Sequence, residues 1–258
     1  MSQLGRLVRV ARADFSYFFR TKWLMAILLT LSLSDMLVTA LVYGKIVSGL
    51  DYFHYLVPGI IVVGLFSAAT DTGRRVWLAL RDGMVQYYMT LPLNTSGLVV
   101  ANIISGGLGG LVYSGLLLLI ASIVITPQGV INAILILPFL FVLSTGIAGL
   151  AAFFASVSRR GEIYWVYAQA LQVSMVTIST VFYPSSTVSQ VLPGPIAIVA
   201  KYNPLSLAAD VLRSSAFGSS PLDTNALGNL VATSLPLAAV GAIAYWFILR
   251  VIRANGKP

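Results

Sequence analysis

The sequence predicts an all-α integral membrane protein with six transmembrane helices. Of its 258 residues, 58% are hydrophobic and only 9% are charged, whereas a soluble domain carries about 25% charged residues. The apolar residues are also gathered into long runs, and about 20 of them in a row suffice to cross a bilayer core. Composition and run length therefore exclude an ordinary soluble domain.

Six runs are long enough to span a membrane, and they form one domain over residues 1–258. They lie at about 23–48, 55–78, 99–125, 130–157, 163–183 and 227–249. The N-terminal stretch carries Arg6, Arg9, Arg12 and Asp14 and lacks the short apolar core of a cleavable signal. We therefore expect targeting to reside in the first span.

The net charge of +8 is distributed unevenly between the two sides of the predicted membrane. If both termini lie on one side, 13 of the 16 basic residues lie there too, and only Lys45, Lys201 and Arg213 lie opposite. Such an excess of basic residues is typical of cytoplasmic loops. We expect a multi-pass protein of the plasma membrane with both termini cytoplasmic, whose basic residues face lipid headgroups and not nucleic acid.

Residues 1–22 have the pattern of an amphipathic helix that lies in the membrane interface. Apolar residues recur there at spacings of three and four, with arginines between them. In the first span, Asp35 is costly at membrane depth and must face protein or a water-filled cavity. It is either a structural or pathway-lining group, or a proton relay of an ion-driven transporter.

The stretch from 81 to 102 is a short polar interruption between the second and third spans. Arg81 and Asp82 precede Gly83, where the helix is expected to change direction. Pro92 suits a first helical turn, and Asn94, Thr95 and Ser96 are capping residues. These residues predict a short helix parallel to the membrane, although an ordinary connecting loop would suit the capping residues equally well.

Two further patterns predict packing and helix starts. Gly106 and Gly110 form a GxxxG face for close helix contact, and Asp71 and Arg75 are four residues apart on one helix face. Residues 184–216 are too proline-rich for two spans and too apolar for a free loop. Asn203 before Pro204 marks a helix start, so we expect short re-entrant helices between the fifth and sixth spans.

The order of these features resembles the membrane subunit of type-2 ABC exporters. The resemblance covers nearly the whole chain. Its most specific parts are the loop from Arg81-Asp82-Gly83 to Thr90-Leu91-Pro92, and the segment from Tyr183-Pro184 to Tyr202-Asn203-Pro204-Leu205. Family members often have a glutamate and a lysine where this chain has Leu80 and Asn102.

The resemblance implies an exporter of two membrane subunits, either two copies of this chain or one with a homologous permease, and two ATP-binding subunits. ATP and Mg²⁺ would bind the partner, while this chain would bind no cofactor or metal. The implied coupling helix, which would enter a cleft of the ATPase, contains Leu91, Pro92, Leu93, Asn94, Thr95 and Ser96. The implied outer gate contains Tyr183, Pro184, Tyr202, Asn203 and Pro204. The first and fifth spans would line the pathway, with Asp35, Gln169, Gln172 and Thr177 as candidates.

Other functions fit the sequence less well. The chain has no GxxxxGK[ST] phosphate loop, so a separate subunit must hydrolyse the ATP. An enzyme is disfavoured because the chain has one histidine, His54, and no cysteine. The alternative is an ion-driven secondary transporter that uses Asp35. The apolar pathway, with its scattered hydroxyls and amides, suits an amphipathic or lipid-like substrate.

Overall fold

The computed structural model describes residues 52–83, 94–125, 129–158, 160–218 and 222–255, together with isolated positions among the first 45 residues. Within these five ranges all regular secondary structure is helical, which agrees with the predicted all-α class. The helices are α1 (Tyr52–Arg81), α2 (Thr95–Ile125), α3 (Val130–Val157), α4 (Gly161–Gln172), α5 (Ser185–Val191), α6 (Gly194–Tyr202), α7 (Pro204–Val211) and α8 (Thr224–Asn255).

Four of these helices are long and apolar enough to cross a membrane. They run over His54–Arg81, Thr95–Ile123, Val130–Val157 and Thr224–Ala254 and coincide with the runs predicted at 55–78, 99–125, 130–157 and 227–249. The first predicted span, 23–48, and the interfacial helix, 1–22, fall almost entirely outside the described residues. Both stay predictions.

The fifth predicted span, 163–183, is not one continuous α-helix. Helix α4 ends at Gln172, a π-helix follows over Val173–Thr177, and the chain then bends through 178–183. This stretch is rich in β-branched residues, which lower helix propensity, and Pro184 disfavours helical backbone at the residue before it. The helical part, 161–177, is about 25 Å long at the rise of an α-helix.

Helix α1 ends where the sequence predicts. The amide of Asp82 donates to the carbonyl of Leu78 (2.9 Å), and that of Gly83 to the carbonyl of Leu80 (3.4 Å). Gly83 has a φ of 72°, a conformation that side chains disfavour. The next helix starts at Thr95, directly after Asn94. Residues 84–93 lie outside the described part, and with them Leu91, Pro92 and Leu93 of the predicted coupling helix.

Helices α1, α2 and α3 pack closely through small residues. A side chain at Gly106 would collide with Thr72 of α1, and one at Gly110 would collide with Ser144 of α3. The predicted role of the GxxxG pair in close packing is confirmed. Large apolar side chains fill the space around these contacts and are fully buried, among them Leu65, Leu117 and Leu143.

Helices α3 and α8 approach each other almost backbone to backbone. A Cβ atom at Gly241 would lie 2.7 Å from the amide nitrogen of Leu150 and 2.8 Å from the carbonyl carbon of Gly149. One at Gly146 would lie 3.1 Å from the amide nitrogen of Ala238. Because backbone meets backbone over more than one turn, these two helices form a closely packed pair.

Candidate functional site

The molecule has two ends, which are set by the long helices α1, α2, α3 and α8 and the shorter α4. At one end, which we call the basic end, lie Arg74, Arg75, Arg81, Arg250 and Arg253. At the opposite end, the short helices α5, α6 and α7 follow the bent chain at 178–183. A second π-helix, Leu212–Ala216, continues from α7. The residues predicted for the outer gate lie at this opposite end.

Residues 173–183, which we call the broken segment, are held there by side chains from other helices. The side chains come from Tyr55 of α1, Asn203 and Ser206 at the start of α7, and Arg213 of the second π-helix. We call their contacts with the broken segment the junction. Only Asn203 among these four is a predicted site residue.

Asn203 has two roles that follow from its amide. Its Oδ1 accepts a hydrogen bond from the backbone amide of Leu205 (3.0 Å), so it caps α7 as the Asn-Pro pattern predicts. Its Nδ2 donates to the carbonyls of Met175 (2.9 Å) and Ile178 (2.8 Å), with a longer contact to Ser174 (3.4 Å). The side chain is nearly fully buried. Asn203 thus caps the start of α7 and supplies a donor to the free carbonyls at the end of the π-helix Val173–Thr177.

Arg213 holds the broken segment a few residues further on. Its guanidinium donates to the carbonyls of Val181 (2.6 Å), Thr180 (3.2 Å) and Tyr55 (3.0 Å). It also pairs with Asp210 at 2.6 Å, and its Cζ lies 3.7 Å from the centre of the Tyr55 ring. The three carbonyls, the Asp210 carboxylate and the Tyr55 ring together surround the guanidinium, and the Arg213 side chain is only 13% exposed.

Two hydroxyls complete the junction. The Tyr55 hydroxyl donates to the carbonyls of Thr180 (2.8 Å) and Tyr183 (2.7 Å). The Ser206 hydroxyl donates to the carbonyl of Ala200 (2.6 Å) and accepts from the amide of Thr180 (2.8 Å). Close packing adds to these bonds, because a side chain at Gly59 would collide with the Val181 carbonyl. Side chains therefore bond the carbonyls of 178, 180, 181 and 183 and the amide of 180 within the bend.

The electrostatics of this end are set by Arg213 and Asp210. About half of the Asp210 side chain is exposed, yet burial among its neighbours raises the pKa of the carboxyl, and the Arg213 guanidinium opposes that rise. The partly hydrated carboxylate contributes less to holding Arg213 than the buried carbonyls do.

The other predicted gate and pathway residues are more exposed. Tyr183 and Tyr202 are each more than half exposed, and the Lys201 ammonium lies 5.8 Å from the centre of the Tyr202 ring. Pro184 and Pro204 precede or begin short helices. Gln169, Gln172 and Thr177 are exposed along α4 and its π-helical extension. Asp35 lies outside the described residues.

At the basic end, the predicted pairing of Asp71 with Arg75 is confirmed at 3.5 Å, and Arg74 pairs with the same carboxylate at 2.7 Å. Arg81 contacts Asp82 (3.3 Å), and its guanidinium lies 5.3 Å from the Trp77 ring centre. A cavity of about 410 Å³ opens beside these residues, lined by Trp77, Leu80, Arg81, Ser156, Val157, Ser158 and Ile248.

The start of α2 is bonded to the end of α8. Thr95 and Ser96, both predicted coupling residues, accept hydrogen bonds from Arg253 and Trp246 (3.2 Å each). Asn102 donates to the Tyr245 hydroxyl at 2.8 Å. Asn94 precedes the helix, and its carbonyl accepts from the amide of Leu98 (3.2 Å). No sequence pattern predicts these partners on α8, since they lie about 150 residues away along the chain.

Comparison with protein-family models and with curated proteins gives no match for this chain. The candidate site has two parts, one at each end of the molecule. At one end, side chains from other helices hold the broken segment. At the basic end, the start of α2 is hydrogen-bonded to the end of α8, beside the predicted coupling segment.

Proposed function

We propose that this chain is the transmembrane subunit of an ATP-driven exporter of the type-2 ABC class. It works with a separate ATP-binding subunit, which holds ATP and Mg²⁺, and with a second copy of itself or a homologous permease. Residues 91–96 carry the coupling contact, and Thr95 and Ser96 of this set form the start of α2. The substrate is amphipathic or lipid-like, and the chain itself is not an enzyme.

The junction is the observation that carries this proposal. The segment after the fifth predicted span is one of the two most specific parts of the resemblance to such exporters. There the chain forms short helices, and their side chains bond the carbonyls of an interrupted helix. Side-chain bonds to a bend can be exchanged for other bonds at moderate cost, whereas a continuous helix cannot open locally without losing several backbone bonds. The arrangement suits a gate.

The burial of the bend supports a location within the membrane. Non-helical backbone survives at membrane depth only where protein or a cavity covers it. Ser179, Thr180 and Val181 are each no more than 3% exposed. Apolar Ile196, Ile198 and Val199 of α6 are exposed and suit contact with acyl chains. In the proposed arrangement, residues 23–48 and 163–183 complete six spans, and α5, α6 and α7 are re-entrant.

The proposed orientation places the basic end in the cytosol of a cell whose plasma membrane holds the protein. The exposed arginines at that end then meet anionic headgroups and the cytosolic partner. Gln169, Gln172 and Thr177 lie on the exposed side of an otherwise apolar helix, where an amphipathic substrate could find both apolar contact and hydrogen bonds.

The proposal is tested by purifying the tagged chain in mild detergent and identifying the proteins that co-purify. We expect a stoichiometric ATP-binding protein with ATPase activity. Changing Leu91 and Leu93 together to aspartate should abolish the association, since a carboxylate would not enter an apolar cleft. The matched control is Val191→Asp, which places a carboxylate at an exposed apolar position at the opposite end and should leave the association intact.

Two outcomes would contradict the proposal. One is a folded chain that purifies without any ATP-binding protein. The other is uptake or efflux in proteoliposomes that follows a proton gradient and disappears in Asp35→Asn, which would establish the ion-driven alternative. Size-exclusion profiles of each variant must match the wild type, so that loss of partner is not confused with loss of fold.

A further inference from the structure

Three hydrogen bonds connect the first two turns of α2 to the last turns of α8. We call this set the basic-end clamp. It joins Thr95 to Arg253, Ser96 to Trp246, and Asn102 to Tyr245. The partners are 143 to 158 residues apart in sequence and follow an antiparallel order, as expected for neighbouring helices that run in opposite directions.

The innermost bond of the clamp is the best protected. Tyr245 has no exposed surface, and it belongs to a cluster of buried apolar residues with Val99 and Leu249. A buried phenol requires a hydrogen-bond partner, and the Asn102 amide supplies one at 2.8 Å. The start of α2 is therefore fixed to α8 at a site that water does not reach.

Helix α8 also reaches the junction. It has 32 residues and is about 48 Å long. Its first turns place Leu227 and Leu230 in the same core cluster as Leu205 and Ala208 of α7. Asn203 begins α7, and Arg213 lies just beyond its end. The same helix thus contacts the start of α2 at one end and, at the other, α7, which carries two of the four junction side chains.

Close packing makes α8 suited to connect the two ends. Gly241 lies against Gly149 and Leu150 of α3 at distances that leave no room for a methyl group. A helix packed in this way shifts with its neighbour as one body, because a small displacement of either backbone would produce a collision.

We propose that α8 transmits displacement of the start of α2 to the junction. The proposal rests on the proposed function, in which residues 91–96 move with the ATPase. Its physical content is a linkage between two sites: a change that weakens one end must alter the stability of the other. A purely local clamp would fix the start of α2 and leave the junction unchanged.

Hydrogen exchange of the chain alone in lipid nanodiscs distinguishes these cases. Tyr245→Phe removes one hydroxyl from the clamp, and Arg253→Gln removes its outermost bond. We expect backbone amides of 174–183 and 204–216 to exchange about fivefold faster in Tyr245→Phe, as for loss of one hydrogen bond in a shared cooperative unit. The increase should be smaller in Arg253→Gln, because that bond is exposed. An increase confined to the clamp helices near 95–102 and 241–253 would overturn the proposal.

Two control variants match the tests. Tyr167→Phe also removes a phenol hydroxyl, from a ring stacked on Phe154 of α3. Arg81→Gln also removes a basic side chain from the basic end, one on α1 whose guanidinium lies 5.3 Å from the Trp77 ring and outside the clamp. Both should leave exchange at the junction within twofold of wild type. Equal acceleration by the controls would mean general loosening and would also overturn the linkage.

The measurement needs no ATP-binding partner, so it is independent of the exporter proposal. Accelerated exchange at the junction in a chain that purifies without an ATPase would retain the linkage and refute the exporter. In the opposite case, an ATPase co-purifies with Tyr245→Phe and hydrolyses ATP normally, transport is unchanged, and hydrogen exchange at the junction is unaffected. This result would support the exporter proposal and refute the linkage.

Discussion

Replacing Arg213 by methionine tests whether the guanidinium holds the broken segment. Methionine is unbranched and of similar length, so the change removes the charge and the donors while it keeps much of the packing. The Thr180 carbonyl still receives the Tyr55 hydroxyl at 2.8 Å, and the Tyr55 carbonyl lies within α1. The buried Val181 carbonyl, however, loses its 2.6 Å bond from Arg213.

The expected cost follows from these contacts. A buried acceptor left without its donor costs about 1–3 kcal/mol, and the lost contact of the cation with the Tyr55 ring costs about 0.5–2 kcal/mol. Asp210 is about half exposed and can be hydrated, so its loss of a partner adds little. We therefore expect Arg213→Met to destabilise the fold by about 1.5–5 kcal/mol.

The assay is thermal or denaturant unfolding in one detergent, compared between variants. Lys201→Met removes an equal charge from the same region, where the ammonium lies 5.8 Å from an exposed tyrosine ring, and should cost under about 0.5 kcal/mol. Asp210→Asn weakens only the ion pair and should cost at most about 1 kcal/mol. If Arg213→Met behaved like Lys201→Met, the guanidinium would not hold the segment. If Asp210→Asn cost as much as Arg213→Met, the ion pair and not the carbonyls would be responsible.

Three further substitutions test other parts of the structure by the same unfolding assay. Asn203→Asp keeps the helix cap but replaces the amide donor, which faces carbonyls, by an acceptor, so it should cost about 1–3 kcal/mol. The control, Asn229→Asp on the exposed side of α8, should be nearly neutral. Equal costs would refute the role of the amide. Gly241→Ala should cost about 1–3 kcal/mol, because its methyl would lie 2.7 Å from a backbone nitrogen. A methyl at Gly228 in the same helix meets nothing within 4 Å, so Gly228→Ala should stabilise the fold by about 0.5–1 kcal/mol. The opposite order would contradict the close packing of α3 and α8. Tyr55→Phe keeps the ring beside the guanidinium but removes a hydroxyl that two carbonyls share, and a cost below about 0.5 kcal/mol would show that these bonds contribute little.

Much of the helical framework follows from patterns local in sequence. Four of the six apolar runs coincide with long helices, because burying about 20 apolar residues in lipid forces the backbone to satisfy its own hydrogen bonds. Gly83 ends α1, and Asn203 with Pro204 begins α7, since turn and cap geometry depend on one or two residues. The pairing of Asp71 with Arg75 follows from helical spacing alone.

The partners in the candidate site could not be predicted, because they depend on which helices meet. The sequence distinguishes Arg213 only as one of three basic residues on the side of the predicted membrane that carries few basic residues. That placement was a usable signal, since a cation in an apolar segment requires a partner. Nothing local identifies the carbonyls of 180 and 181 as those partners. Asn102, noted only as a departure from the resembled family, donates to a tyrosine 143 residues away.

The two kinds of contact in this chain differ in how readily they can change. Helices α3 and α8 touch through backbone atoms at Gly149 and Gly241, and close-packed backbones have few alternative arrangements. The junction instead consists mainly of side chains that donate to carbonyls, and each such bond contributes about 0.5–1.5 kcal/mol net, or about 1.5–3 kcal/mol where the charged Arg213 is the donor. Rearranging two or three of these bonds costs far less than separating α3 from α8. Any change of state in this chain should therefore concentrate where Asn203 and Arg213 hold the broken segment, while α3 and α8 shift together.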